Sequence, residues 1–252
     1  YNGRVRVAQM SKECGVKRYV LASSCSVYGF NKNINDDNIL LNETSAIDPL
    51  TTYAKANGKA EEGILPLASS KFTVTALRFA TVYGYSGRMR FDLAINAWVL
   101  DLYKNQRIRV MRDGTQWRPF IHVKDAAIAY ESILNQETDE INGQIFNVGF
   151  DEQNYQILPL SENLAKSLNL DYEIDWYGSN DVRSYKVSFR KFKDKVNFKP
   201  TYTPIEGASE VYEALRNGKL KETLKTNTVR WYKHLIDNYE LISDVTLRNT
   251  LL

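Results

Sequence analysis

A short apolar run that ends in small hydroxyl residues constrains the fold more than any other stretch of the chain. Residues 19–22 read YVLA, and residues 23–29 continue as SSCSVYG. An apolar, β-branched run that stops at small polar residues and a glycine is typical of a buried strand. Open α/β sheets bind their ligands at the carboxyl ends of such strands. The stretch therefore predicts a sheet with a functional site beside residues 23–26.

The rest of the chain predicts helices that alternate with strands, as in an α/β protein. A first helix ends at Gly15, and Pro66 ends the second. Residues 31–49 are rich in Asn and Asp and predict a long active-site loop. Further helices are predicted over residues 53–65, 91–103, 125–134, 160–168, 203–217 and 223–239, and strands over residues 18–23, 72–79, 107–111, 145–149, 172–176 and 183–189.

Composition excludes several functional classes. The 252 residues are 43% hydrophobic, which is enough for a substantial core. A net charge of +3 gives no field that would recruit nucleic acid or a membrane surface, and the basic run at 190–195 predicts a solvated helix face. Only two cysteines, Cys14 and Cys25, predict no disulfide and a reducing, cytoplasmic location. Two histidines are too few for a histidine-based metal site, and no apolar run reaches membrane-spanning length.

A tyrosine 29 positions after Ser24 completes a recognisable pattern. Tyr53 begins the helical stretch YAKAN, and SSCSVYG with this Tyr resembles the extended short-chain dehydrogenase/reductase family, the NAD-dependent nucleotide-sugar epimerases and dehydratases. Three further stretches match that family in order: RFATVYG at 78–84, RPFIHVKD at 118–125 and IFNVG at 145–149. Together the matches cover residues 2–218.

This resemblance implies a doubly wound, Rossmann-type parallel sheet with a smaller α/β substrate-binding domain. Residues 1–83 and 107–150 would form the interleaved NAD-binding part, and residues 84–106 and 151–252 the substrate-binding part with the C-terminal helices. The chain begins in the helix before the Ser-bearing strand. We therefore expect the first half of the nucleotide-binding sheet, with its glycine-rich phosphate loop, to be missing, as in a fragment of a longer protein.

The resemblance also implies the site residues. Tyr53 would be the catalytic base and Ser24 would hold the reacting oxygen, and no metal is expected. The implied NAD contacts are Ser23, Ser24, Tyr53, Asn57 and Ala80, and the implied nucleotide-sugar contacts are Ser24, Cys25, Thr81, Asn96, Arg118 and Arg183. Three alternatives stay open: serines that only satisfy backbone groups, an Asn96 that is an ordinary helix residue, and an Arg183 in a structural ion pair. His122 is interpreted as a structural histidine.

One position departs from the family pattern. The family has Lys four residues after the Tyr, where this chain has Asn57. At about 100° per residue, position 57 lies about 40° from Tyr53 around a helix, whereas positions 55 and 59 lie about 200° and 240° away. Lys55 and Lys59 therefore belong to another face. A free Tyr, with a pKa of about 10, needs nearby positive charge to act as a base at neutral pH, and Asn57 supplies none.

The residues after Ser24 limit the reaction type. The family's dehydratases carry an Asp-Glu pair there, for acid/base elimination of water, and this chain has Cys25 and Ser26. We therefore expect an epimerase that forms a transient keto sugar on a nucleotide diphosphate. The alternatives are a non-catalytic or weakened sugar-nucleotide-binding protein and a reductase or decarboxylase of the same family. The resemblance further implies a homodimer through helices 3–16 and 53–65.

Overall fold

The structure is a computed structural model that describes residues 1–30, 40–179, 183–244, 246–247 and 250–251. Its helices are α1 Asn2–Glu13, α2 Thr52–Ile64, α3 Ala94–Asn105, α4 Val123–Leu134, α5 Thr138–Ile141, α6 Ile157–Ser167, α7 Arg190–Val196, α8 Pro204–Arg216, α9 Thr228–Asp237 and α10 Tyr239–Asp244. Its strands are β1 Arg18–Ser24, β2 Thr73–Phe79, β3 Thr81–Tyr83, β4 Arg107–Met111, β5 Trp117–His122, β6 Gln144–Val148, β7 Asn154–Gln156, β8 Glu173–Tyr177, β9 Thr246–Leu247 and β10 Thr250–Leu251.

The central sheet consists of three parallel strands in the order β1-β2-β6. Its register places Ser24 opposite Phe79, and Phe79 opposite Val148, so the carboxyl ends of all three strands reach the same edge. All seven residues of β2 are buried, where the sequence pattern predicted alternation. Continuous burial is the pattern of a parallel strand whose sheet is covered on both faces. The predicted parallel α/β sheet is therefore present.

Smaller sheets accompany the central one. Strand β5 pairs in parallel with β3 and antiparallel with β7, and β4 pairs in parallel with β8. Residues 107–125, which the sequence analysis assigns to the NAD-binding part, therefore place both of their strands, β4 and β5, outside the central sheet. Ile108 and Val110 are buried in β4 while Arg107 and Arg109 are exposed, so alternate side chains of this strand face the core and the solvent. The division into two interleaved domains stays a prediction.

Two predicted segments differ in form. Residues 183–189 do not form a strand; Val187 makes only an isolated bridge with Leu41. Side chains bind part of this backbone, since Asn154 Oδ1 accepts from the Val187 amide at 2.8 Å and Asp151 Oδ1 accepts from the Phe189 amide at 2.6 Å, while the Ser188 amide donates to the Leu41 carbonyl at 2.8 Å. In the predicted loop 31–49, residues 31–39 lie outside the described residues, and residues 40–49 contain no helix or named strand.

Helix ends follow the local chemistry. Helix α1 ends at Glu13, and Gly15, at φ +76°, takes the left-handed conformation that a glycine favours. The N-cap of α2 is Thr51, whose Oγ1 accepts from the Ala54 amide at 3.1 Å. Helices α3 and α9 begin three and five residues later than predicted, and a 3₁₀ turn, Leu224–Thr226, precedes α9.

The N-terminal helices pack closely on the sheet. Ala8 of α1 and Ala60 and Ile64 of α2 are buried with Leu21 of β1 in one apolar cluster. A Cβ added at Gly63 would lie 2.8 Å from a methyl group of Val5, so the two helices need a glycine at their contact. Within the described residues, no helix is long and apolar enough to cross a lipid bilayer.

Candidate functional site

A buried polar network fixes the end of β1. Ser23 Oγ donates to Glu61 Oε1 at 2.5 Å, and Arg78 donates to both oxygens of the same carboxylate, at 2.7 Å from Nη2 to Oε2. Arg78 Nη1 also donates to the hydroxyl of Tyr28 at 3.0 Å, and that hydroxyl donates to Asn147 Oδ1 at 2.8 Å. The network joins β1, β2, β6, α2 and the 3₁₀ turn Cys25–Tyr28. The hydroxyl of Ser23 is therefore hydrogen-bonded to the carboxylate of Glu61, which has a structural role.

The next three side chains occupy different environments. Ser24 Oγ accepts from the Ser26 amide at 3.2 Å and begins the 3₁₀ turn. The Cys25 thiol is buried and donates to the Arg78 carbonyl at 3.1 Å, and burial raises its pKa far above the ordinary value. The Cys25 sulfur therefore faces the core, and its predicted substrate contact stays a prediction. Ser26 Oγ is buried and has no hydrogen-bond partner among the described residues.

Helix α2 presents Tyr53 to solvent and buries Asn57. Tyr53 is 59% exposed. Asn57 is 0% exposed, and its Nδ2 donates to the Tyr53 carbonyl at 3.0 Å. Lys55 and Lys59 are exposed, and that neither replaces the expected lysine stays a prediction.

Arg4 of α1 approaches the same position from the neighbouring helix. Its Nη1 donates to Asn57 Oδ1 at 2.5 Å and lies 3.5 Å from the Ala22 carbonyl. Sequence reasoning missed this residue, since its only signal was a cation in the helix before the Ser-bearing strand. Burial raises the pKa of Tyr130 to about 12, while Arg4 lowers it and Tyr53 raises it. Both side chains thus lie within electrostatic reach of one phenol.

A cavity of about 560 Å³ lies beside strands β4 and β5. Its lining includes three of the predicted substrate contacts: Thr81, Arg118 and Arg183. Arg118 Nη1 donates to the carbonyls of Trp117 and Arg183, and its guanidinium carbon lies 5.2 Å from the ring centroid of Tyr185. Two guanidinium groups in one concave site suit a phosphate-bearing ligand, because their planar donors match its oxygens.

Two other predicted contacts have their polar atoms engaged inside the protein. Asn96 is 3% exposed; its Nδ2 donates to the Arg90 carbonyl and its Oδ1 accepts from the Gly84 amide, both at 3.0 Å. Gly84 has a φ of +105°, a conformation that favours glycine. The hydrogen bond from its amide to Asn96 therefore stabilises a turn that requires glycine. Ala80 is buried, and its amide donates to the Val148 carbonyl at 2.9 Å. The alternative of Asn96 as a structural helix residue fits the structure better than a direct ligand contact.

His122 is a structural residue, as its sequence context predicted. The ring is 0% exposed, with Nε2 3.0 Å from Glu210 Oε2 and Nδ1 accepting from the Lys124 amide at 3.3 Å. It also stacks on Tyr202 with ring centroids 4.2 Å apart. Burial lowers its pKa, against the opposing effect of Glu210. Among the described residues, no group of three or more His, Cys, Asp or Glu side chains is placed to hold a metal ion.

Taken together, the parallel sheet, the serines at its carboxyl edge and the tyrosine on the following helix define an α/β protein of the dinucleotide-binding, Rossmann type. Comparison with known proteins gives the family. The model of the NAD dependent epimerase/dehydratase family matches residues 1–149. The chain belongs to this family, and the resemblance found in the sequence is confirmed.

Individual relatives agree with this assignment. The chain is 27% identical over 254 residues to a UDP-glucuronate 4-epimerase of Thermodesulfobacterium geofontis, a match that covers 96% of this chain and 67% of the relative. An uncharacterized UDP-glucose epimerase, YtcB of Bacillus subtilis, is 25% identical over 91% of this chain and 65% of its own length. The chain thus spans about two thirds of the length of these curated relatives.

Solved structures share the fold. MoeE5 in complex with UDP-glucuronic acid and NAD has a TM-score of 0.75 and 25% identity, covering 85% of this chain and 70% of that one. The UDP-glucuronic acid 4-epimerase of Bacillus cereus has a TM-score of 0.73 at 20% identity, covering 85% and 66%, which shows the fold alone. The Rossmann-type sheet is therefore confirmed.

The described residues fit the NAD on which the family depends. The hydroxyl of Ser26 is a buried polar atom that has no partner at the carboxyl end of β1. Among the described residues, Arg4 Nε and Nη2 also make no hydrogen bond, while Nη1 holds Asn57. A dinucleotide ribose, rich in hydroxyl groups, suits such donors and acceptors. NAD as the cofactor is confirmed at the level of the family.

Proposed function

We propose that this chain carries the catalytic and substrate-binding part of an NAD-dependent epimerase that acts on a nucleotide-diphosphate sugar. The observation that carries the proposal is the cavity lined by Thr81, Arg118 and Arg183, in the same chain as the Ser24 and Tyr53 pair. UDP-glucuronate is the first substrate to test, because a UDP-glucuronate 4-epimerase is among the relatives.

The chemistry assigned to the chain's own residues is proton transfer and orientation. Tyr53 takes the proton of a sugar hydroxyl, and Ser24 holds the same oxygen by a hydrogen bond. When bound, NAD would supply the hydride acceptor for the carbon of that hydroxyl, and return of the hydride to the opposite face of this sugar carbon would invert it. Tyr53 then gives its proton back to the oxygen of the transient keto sugar. Protons and hydride balance over the cycle, so neither NADH nor a keto product accumulates.

Epimerisation suits the site better than dehydration. Elimination of water needs a general acid and a general base beside Ser24. Cys25 is buried, and burial raises its thiol pKa, so the side chain stays protonated and faces the core. Ser26 carries no ionisable group. The neighbours of Ser24 therefore supply no acid/base pair for elimination.

A weakened or non-catalytic sugar-nucleotide-binding protein is the second candidate, and Asn57 favours it. The amide is buried, neutral and bonded to the Tyr53 carbonyl. The full-length protein should be incubated with UDP-glucuronate or UDP-glucose and substoichiometric NAD⁺, and the products followed by NMR. Formation of the C4 epimer at constant NADH supports the epimerase. Binding of the UDP-sugar without turnover supports the second candidate. Net consumption of added NADH indicates the reductase alternative, and release of CO₂ indicates the decarboxylase alternative.

We also propose that the protein is a homodimer in the cytoplasm, without nucleic-acid or membrane partners. The outer side of α1 exposes Val7 and Met10, at 56% and 50%. The outer residues of α2 are polar, among them Lys55 and Lys59. The apolar part of the proposed interface is therefore on α1. Two free cysteines, one of them the exposed Cys14, suit a reducing compartment.

A further inference from the structure

The proposed base, Tyr53, lacks the lysine that the family pattern places four residues later on the same helix. This chain has Asn57 at that position. Tyr53 and Asn57 stand one helical turn apart on α2, linked by the bond from Asn57 Nδ2 to the Tyr53 carbonyl. That bond fixes the amide, so Oδ1 points away from Tyr53 and accepts from another donor. The donor is Arg4 Nη1, at 2.5 Å.

The environment of Arg4 suits a cation that acts on a ligand. The residue is partly buried in the first turn of α1. Nη1 holds Asn57 and lies 3.5 Å from the carbonyl of Ala22, two residues before Ser24. The same guanidinium lowers, and Tyr53 raises, the pKa of Tyr130. The guanidinium therefore lies between Asn57 of α2 and the carboxyl-terminal part of β1, and its Nε and Nη2 make no hydrogen bond to any described residue.

We propose that Arg4 supplies, from the neighbouring helix, the positive charge missing at position 57. Asn57 positions the guanidinium by accepting from Nη1. The charge stabilises Tyr53 as its phenol loses the proton, and the spare donors bind the hydroxyls of the nicotinamide ribose. Arg4 and Asn57 together thus take the role that a single lysine has in the family pattern. The inference rests on the proposed NAD-dependent reaction and assigns a residue to it.

The test separates charge from structure with four variants of the full-length protein. Arg4→Lys keeps the charge, whereas Arg4→Gln keeps a donor for Asn57 but removes the charge. Arg4→Met combined with Asn57→Lys moves the cation to α2. Arg6→Met, an exposed arginine on the same helix, is the control. Each variant is assayed for kcat, for KM, for NAD⁺ affinity by calorimetry and for thermal stability.

We expect Arg4→Gln to lower kcat about tenfold or more and to weaken NAD⁺ binding, since positioned proton transfer contributes at least that much. Arg4→Lys should retain most of both. Arg4→Met/Asn57→Lys should recover kcat and NAD⁺ affinity, although it lacks the bond between Arg4 and Asn57. Arg6→Met should change neither. If Arg4 had only a structural role, a lysine at position 57 would not restore kcat and NAD⁺ affinity. Recovery in the double variant therefore supports a role for the charge.

Two outcomes overturn the inference. One is wild-type turnover and NAD⁺ affinity in Arg4→Gln. The other is a loss in Arg4→Gln that Asn57→Lys in the Arg4→Met background fails to reverse while stability is intact. A wild-type protein that binds NAD⁺ but turns over neither UDP-sugar refutes the proposed function separately. In that case the NAD⁺ affinities of the same variants still decide whether Arg4 binds the cofactor.

Discussion

Catalytic activity at this site depends on single residues. Tyr53, the proposed base, is the first of them to test. Its ring is 59% exposed and packs little, so its removal should cost catalysis without costing the fold. Sequence spacing located Tyr53 and Ser24, because both are set by position along one strand and one helix. It could not locate Arg4, whose contact with Asn57 depends on how two helices pack.

Replacing Tyr53 tests its role directly. We expect Tyr53→Phe to lower kcat by about 10²–10⁴-fold, the usual contribution of a positioned acid/base group. The melting temperature and the affinity for UDP should stay unchanged. Tyr232→Phe, at a tyrosine of similar exposure on α9, is the control. Unchanged turnover in Tyr53→Phe would exclude the assigned base.

The buried carboxylate of Glu61 gives a stability prediction. Glu61 and Arg78 are both 4% exposed in their side chains, and Ser23 also donates to the carboxylate. Glu61→Gln leaves a buried guanidinium without its counter-charge, and such losses cost about 3–5 kcal/mol. Chemical denaturation should show this decrease, whereas Glu62→Gln at the exposed neighbour should change the free energy of unfolding little. Equal stability of the two variants would contradict the role of the network.

At the scale of elements, the contact of α8 with β5 depends on His122. The buried ring meets Glu210 of α8, with Lys124 and Asp125 also acting on it. Burial lowers the pKa of His122 below its ordinary value of 6.5, so the folded state binds this proton less well than the unfolded state. The contribution of His122 to the free energy of unfolding is therefore full above pH 6.5 and is lost as the pH falls through the lower, native pKa.

NMR titration of the ring hydrogens checks this prediction. The His122 signals should shift with a midpoint below pH 6.5, and the melting temperature should fall over the same range. His234→Gln, which removes the exposed histidine of α9, should leave the midpoint of the His122 signals unchanged. A His122 midpoint above 6.5 would contradict the assigned effect of burial.

Prediction from sequence succeeded for elements whose pattern is local. The bounds of β1, α2, β2, β4 and β6 differ from the expected ones by at most one residue, because apolar runs and helix stops are read along the chain. The partner of β4 could not be predicted from the sequence, since its pairing with β8 joins segments more than 60 residues apart. The extended segment around Val187 resembled a strand but bonds to side chains of Asp151 and Asn154.

At the scale of the whole molecule, the proposed homodimer uses the outer side of α1. Val7 and Met10 are exposed there, so the proposed homodimer should depend on them. We expect Val7→Asp/Met10→Lys to convert a dimer into a monomer in analytical ultracentrifugation, because charges placed in an apolar interface remain unpaired. The matched pair Val229→Asp/Ile236→Lys, on exposed apolar residues of α9, should leave the dimer intact. A wild-type monomer would refute the assembly.

The central claim is that the chain inverts a sugar carbon by removing and returning the same hydride. The most direct measurement is the reaction of full-length protein with UDP-glucuronate and NAD⁺ in D₂O, with the product analysed by NMR and mass spectrometry. The account predicts the C4 epimer with hydrogen, not deuterium, on the inverted carbon, because the hydride never exchanges with solvent. Deuterium at that carbon would indicate carbon deprotonation and contradict the account, and so would the absence of any epimer.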